Sequence, residues 1–558
     1  MAMSSITKQH MGCYIYLYES TSYWDTKSKK SCNNKICIGK IDPSTGDEYF
    51  RQEYIDRLKS EGKQTDNMRI WHDQRKRQPL RAGMSGIDTL ALAQEILSTV
   101  KSFGLAFFLQ SIAEKIGLVD IMSQSIPLCW QRILVLACYL VSEDKPVAYC
   151  SDWVDENECI DAGSMASQRI SELLCAFGYN HRSEFFKRWY LHIRENEYVA
   201  LDITSVSSYS EHIGLLGWGH NRDGDRLPQA NICMLFGEKS MMPIYQTVYN
   251  GSLSDVTTLE TTLSEFEAIT GTRDIKLVMD KGFSSAKNIN KMLSNANLSS
   301  YKFLIPVSFT TKLADELVEN ERSNIDDVDN VIFTSDMPVR GVYRPIKWKK
   351  GKRDIELHAH IFYDPESALA ERNDKYDYVA RLKKLAVESP ADPKQKDAFQ
   401  KYLIISNVNN SDSPISVGVR KDVIEKSLKH SGWLILISNN IRDTQEALDL
   451  YRAKDVVEKS FYQYKNNLEL YRFRVHSDER TLNKTFVAFI ALILSSHIHK
   501  VMRDSGLDRT FTFGKLLRSL SKLKIAYVSN IPVLQPLTKE QKLIFKSFAI
   551  DCPGSSVD

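Results

Sequence analysis

The stretch "YRAKDVVEKSFYQYK", residues 451 to 465, places Tyr451, Lys454, Glu458 and Lys465 at offsets of 0, 3, 7 and 14. On an α-helix turning about 100° per residue these offsets fall at about 0°, 300°, 340° and 320°, one narrow stripe. Val456, Val457, Phe461, Tyr464 and Leu468 fall on a second stripe about 100° away, suited to burial. The helix therefore has a packing face and a separate face carrying a hydroxyl, two ammonium groups and a carboxylate. Two further carboxylates stand out. Asp202 lies inside the apolar strand pattern "VALDITSV", where burial is costly unless a partner or a cation compensates. Asp280 ends the apolar "LVMD" and opens a glycine turn, at the kind of strand end where ligands collect in α/β sheets. Singly, each aspartate also fits a cap or turn former, and Glu458 a solvated helix residue. On strand, strand end and helix together, three carboxylates can converge on a pair of divalent cations.

The elements that must position these groups follow from hydrophobic period. From 197 the pattern is that of strands, "EYVALDITSV", "ANICMLFG", "MPIYQTVYNG" and "IKLVMDKGF", with a helical stretch near 257 to 269 before the last. After 300 come short extended pieces, "YKFLIPVS", "NVIFTSD", "GVYRPIKWKK", "IELHAHIFYD" and "KYLIISNV", with one charged helix at about 365 to 388. "GWLILISNN" returns to a buried strand, and a helix over 447 to 470 follows. The pattern predicts a mixed α/β domain interrupted by a mostly β insertion. Upstream, "CYIYLYES" and "NKICIGKID" alternate and read as a hairpin. Residues 86 to 195 carry the three- and four-residue spacing of helices. Between them, "MRIWHDQRKRQPLRAG" reads equally as a solvated linker or as an arm laid along phosphates.

Asp202 in "LDITS", Asp280 in "MDKGF" and the helix stripe together resemble the DDE transposases of bacterial and archaeal insertion sequences, in the group with a Y-x2-R-x3-E-x6-K signature. Tyr451, Lys454, Glu458 and Lys465 fall at those spacings, and Asp280, Gly282 and Phe283 supply the D-x-G-F turn. Lys454 stands where the signature has arginine, which keeps the charge and loses the bidentate fork for phosphate. The resemblance implies a ribonuclease H-like mixed sheet interrupted by a β-rich insertion, preceded by a β-hairpin arm and a helical domain. The corresponding boundaries are 1–85 for the arm and basic linker, 86–195 for a helical DNA-binding domain and 196–300 for the first part of the catalytic core. They continue with 301–430 for the insertion, 431–510 for the second part of the core and 511–558 for a helical tail. The 178 residues between Asp280 and Glu458 require such an insertion. The implied chemistry is two-metal phosphoryl transfer, with Asp202, Asp280 and Glu458 holding two Mg2+ ions, or Mn2+ in their place. Hydrolysis at terminal inverted repeats of double-stranded DNA is followed by attack of the freed 3′ hydroxyl on target DNA. Tyr451, Lys454 and Lys465 are expected to hold DNA phosphates. Pairing of two transposon ends implies a homodimer on DNA. A catalytically inactive DNA-binding descendant and a metal-dependent nuclease without strand transfer are the alternatives.

The bulk composition adds bounds. The formal charge of +3 neither supports nor excludes a nucleic-acid partner, so any basic surface has to be local. The longest apolar runs, "ILVLACYLV" and "FVAFIALIL", fall short of the roughly 20 residues of a membrane span and read as core. No secretory pattern opens the sequence, so the expected compartment is the cytoplasm, with the nucleoid as the place of action. "CNNKIC" lacks a following histidine pair, so free thiols are expected rather than zinc. In "GWGHNRDGDRLPQ", Arg222 fits a phosphate contact or a surface hairpin loop equally. "YRPIKWKKGKR" fits an exposed charged hairpin or a DNA-facing ribbon. His497 and His499 point about 200° apart on a helix and are not expected to share an ion. Trp433 reads as core.

Overall fold

A computed structural model describes residues 4–11, 14–25, 30–41, 46–71, 96–97, 99–193, 195, 198–219, 226–253, 255–272, 275–293, 301–333, 338–389, 392–406, 416–454, 472–528 and 531–554. The chain divides into two units, Met1–Glu95 and Ile96–Asp558. In the first, strands β1 (Ser4–Met11), β2 (Tyr14–Asp25) and β3 (Lys30–Ile41) pair antiparallel in that order, and β4 (Glu48–Phe50) and β5 (Arg69–Ile70) complete the sheet. Leu17, Ile38 and Ile41 form its small core against Ile15, Phe50 and Tyr54.

The second unit is mixed α/β. A short β6 (Lys101–Ser102) joins β18 (Lys524–Val528) and β19 (Ile531–Leu534) in a three-stranded sheet. The main sheet has nine strands. β7 (Tyr198–Ser207) lies third from one edge, flanked by antiparallel β8 (Gln229–Gly237) and then β9 (Pro243–Asn250). On its other side run parallel β10 (Lys276–Met279) and parallel β11 (Lys302–Pro306). All ten residues of β7 are buried, which is why it reads as one apolar run rather than an alternation. The helix Asp255–Thr270 makes the crossover from β9 to β10.

Beyond β11 the sheet continues through β17 (Trp433–Ser438), β14 (Arg353–Tyr363), β13 (Pro338–Lys350) and β12 (Val331–Phe333), all antiparallel. The extended pieces from 331 to 363 thus extend the same sheet as Asp202. Among the described strands between β11 and β17, β15 (Leu403–Ser406) and β16 (Ser416–Val419) form a separate pair. They share a satellite core, including Val379, Leu382, Phe399 and Ile424, with the helices Pro365–Glu388, Lys396–Tyr402 and Lys421–Leu428.

Helices between Gly104 and Ile193 pack around the helix Asp478–Asp504. This helix is long and apolar enough to cross a membrane, and 78% of its apolar window is buried inside the protein. Its inward residues, Phe486 to Leu494, join Phe177, Phe185 and Phe186 in one continuous core with the sheet.

Candidate active site

The two aspartates come together through strand register. Met279 of β10 pairs with Leu201 of parallel β7, so the next position sets Asp280 beside Asp202, one strand spacing of about 4.8 Å away. Side chains alternate along a strand, so Tyr198, Ala200 and Asp202 share a face, as do Val278 and Asp280. Tyr198 and Val278 pack with Leu304, Leu436, Ile441, Ala447 and Leu448. That cluster identifies this face as the one covered by the helix Thr444–Ala453.

The helix is tied down at its start. Asp443 caps it, its Oδ1 accepting from Glu446 N–H at 2.7 Å. Just upstream, Ser438 Oγ accepts from the N–H groups of Asn440 and Ile441. Asn439 clips the end of β11, its Oδ1 accepting from Phe303 N–H at 3.0 Å and its Nδ2 donating to Tyr301 O at 2.8 Å. Asn440 Nδ2 donates to the Tyr198 hydroxyl at 2.6 Å. These contacts aim the helix along β7 toward the aspartates. Its last turn carries Tyr451, half-buried against the same cluster. Lys454 follows as the C-cap, and its Nζ lies 3.3 Å from Asp280 Oδ1.

Asp202 is 3% exposed, and its Oδ1 accepts from the N–H of Ile203 at 2.8 Å. Asp280 opens a 3-10 turn, Lys281–Phe283, whose buried Phe283 anchors it to the core. Phe283 O accepts from Asn288 Nδ2, itself 2% exposed, so the turn is held from behind. Lys281 Nζ lies over the Phe309 ring, which also stacks at 4.6 Å on His430, itself beside Asp315. The Asp280 side chain keeps 35% of its surface while Lys454 keeps 4%. The carboxylate faces water on one side and a buried ammonium on the other.

Asp202, Asp280, Tyr451 and Lys454 are therefore brought together. Glu458, Lys465 and the apolar stripe from Val456 to Leu468 lie outside the described residues, as does Arg222. Two adjacent carboxylates form an all-oxygen donor set suited to a hard divalent cation. Among the described residues no three histidine, cysteine or acidic side chains converge to hold one. The burial of Lys454 and the Ser438–Asn440 anchor were not expected. The polar "SNN" after an apolar strand is the signal from which the latter could have been found.

The remaining positions resolve individually. "YRPIKWKKGKR" is the hairpin of β13 and β14, with Gly351 at φ +62° in its turn, and Trp348 Nε1 donates to Asn290 at 2.8 Å. Trp433 is buried, packed on Tyr363 with the Arg322 guanidinium over its ring. His499 stacks on Phe513 at 4.5 Å, while His497 lines a cavity elsewhere.

No curated protein matches the sequence. Among solved structures, a piggyBac transposase synaptic complex with hairpin DNA is similar at 11% identity and a TM-score of 0.30, over 80% of this chain and 78% of its own. Residues 195–494 match the model of the transposase DDE domain, from just before β7 to the middle of the core helix. The match takes in Asp202, Asp280 and residues 451–465 and covers more than half of the chain, which therefore belongs to the DDE transposase family.

Proposed function

We propose that this chain is an active cut-and-paste transposase of an insertion sequence, of the group with the Y-x2-R-x3-E-x6-K signature. The observation that carries the proposal is the register that sets Asp280 beside Asp202 under the helix Thr444–Ala453, with Glu458 four positions after Lys454 in the sequence. The order β9-β8-β7-β10-β11, with only β8 opposed to its neighbours, supports a ribonuclease H-like core. Residues between β11 and β17 would then be the insertion.

In this reading Asp202, Asp280 and Glu458 would hold two divalent ions, Mg2+ or Mn2+, whose chemistry would be Lewis-acid assistance to phosphoryl transfer. The protein's own part is positional. Burial of β7 fixes Asp202, and the anchored 3-10 turn fixes Asp280. Lys454 offsets the negative charge of two neighbouring carboxylates before cations arrive. Tyr451, Lys465 and Arg222 would hold DNA phosphates. Two copies pair the two inverted-repeat ends.

The test is cleavage and strand transfer on DNA carrying the inverted repeats that flank the gene, with Mg2+ or Mn2+, comparing wild type with Glu458→Gln and Asp202→Asn. The expected result is cutting at the repeat end and joining to target by wild type, with DNA binding alone by both variants. A wild-type protein that binds repeat DNA and cuts in neither metal would leave the DNA-binding reading in its place.

A further inference from the structure

A cavity of about 460 Å3 opens beyond the Tyr198 end of β7, lined by Trp189, His192, Glu195, Lys239, His497 and Lys500 among others. It is a separate place from the aspartates, since four strand residues, or about 13 Å, lie between Tyr198 and Asp202. Its walls are fixed by hydrogen bonds to one turn. Ser240 N–H donates to Glu195 Oε2 at 2.8 Å, and Ser240 O accepts from Lys500 Nζ at 3.1 Å. Trp189 Nε1 donates to Pro243 O at 2.8 Å, and the His192 ring stacks on Trp189. Gly117 backs that ring so closely that an added Cβ would lie 2.8 Å from it.

The donor set is one-sided. Among the described residues, two ammonium groups and two imidazoles line the cavity with one carboxylate; Glu195 accepts from Ser240 N–H and Lys500 donates to Ser240 O. Lys115, whose Nζ donates to Phe548 O and Ala549 O, adds positive charge near His497. Burial, together with Lys500 and Lys115, holds His497 down to about 4, so its imidazole is neutral at pH 7 and offers one N–H and one lone pair. The polar part of this lining, rich in N–H donors, complements an acceptor-rich anion.

We propose that this cavity is a phosphate site, in which Lys239 and Lys500 supply charge and His192 and His497 supply directional hydrogen bonds. The phosphate comes either from the backbone of bound DNA, a source that rests on the transposase reading, or from a free phosphate ester, which does not.

The test uses the full chain and inorganic phosphate, titrated calorimetrically at constant ionic strength. Saturable binding by wild type is expected. Lys239→Gln, an exposed position, and Lys500→Gln should each weaken it by roughly tenfold, the loss of one charge-assisted contact of about 1.4 kcal/mol. His497→Gln, which leaves both lysines, should weaken it by a smaller factor. The salt dependence of affinity for a DNA duplex separates the sources. A log–log slope reduced by about 1 in Lys239→Gln assigns the site to DNA backbone. An unchanged slope with weakened phosphate binding assigns it to a free ester. No saturable phosphate binding by wild type, or equal affinity in wild type and both lysine variants, overturns the proposal. Failure of the chain to cut DNA would leave the phosphate titration untouched.

Discussion

The Lys454–Asp280 pair makes a prediction that separates a positioning lysine from one that reaches out to DNA. At 3.3 Å and an effective dielectric constant of 20, the bare Coulomb attraction is about 5 kcal/mol. Desolvating the ammonium offsets much of this, and the 35% exposure of Asp280 screens more, leaving a coupling of roughly 1–2 kcal/mol. The two single substitutions should be unequal. Asp280→Asn removes the charge opposite a buried ammonium and should cost about 2–3 kcal/mol. Lys454→Met keeps the apolar stem and frees a carboxylate that water already reaches, so it should cost under about 1 kcal/mol. The assay is a double-mutant cycle on urea midpoints of the full chain, with circular dichroism confirming an unchanged fold. Mg2+ adds a second readout. On the proposed mechanism it should raise the midpoint of Lys454→Met more than that of wild type, because two adjacent carboxylates then lack their internal counter-ion. A coupling within about 0.3 kcal/mol of zero, together with equal single costs, would refute the reasoning, since independent sites add to that accuracy.

Other perturbations follow from the same structure. Burial pushes His360 from 6.5 down to about 4, so the unfolded chain binds a proton there first as pH falls. That stability is complete above pH 6.5 and is lost as pH drops toward 4, about 3 kcal/mol in all, so His360→Gln should flatten the fall in urea midpoint between pH 7 and pH 4.5. Gly432 holds φ +76°, and an added Cβ would lie 2.4 Å from Asp364 O, so Gly432→Ala should cost at least about 2 kcal/mol and speed hydrogen exchange in β17. Arg344 makes two hydrogen bonds to Glu321, a carboxylate only 6% exposed, so Arg344→Ala should cost about 1–2 kcal/mol of stability, read as a lower urea midpoint, and Arg344→Lys should recover part of it.

What was legible beforehand follows from which physics is local. Asp202 inside an apolar run and Asp280 at a strand end were visible because burying a carboxylate is an anomaly that period alone exposes. The charged helix expected over 365 to 388 is the helix Pro365–Glu388, begun by Asp364, whose side chain accepts from the N–H groups of Glu366 and Ser367, all signals within four residues of one another. Partnership across the sheet was not local. Alternation in "IELHAHIFYD" announces a strand, yet its pairing with β17 joins His358 to Ser438 and Tyr363 to Trp433, some 70 to 80 residues apart, and nothing in either segment encodes that choice. An extended run between two halves of a core therefore reads as a separate insertion even where β12 to β14 continue the main sheet. Lys454 shows the same limit at the level of one side chain. Helical spacing puts its Cα on the stripe with Tyr451, but spacing carries no information about what covers that stripe. The flexible stem can bring its ammonium to DNA or fold it back onto Asp280, and the depth of the helix over Ala200 and Val278 decides between them. That depth is set by Asn439 and Asn440, which hold the helix start against β11 and Tyr198. Asn440→Ala should consequently loosen the Lys454–Asp280 pair from a distance, lowering the coupling in the cycle above without touching either charge. A coupling unchanged in the Asn440→Ala background would show that the strand turn does not govern the reach of Lys454.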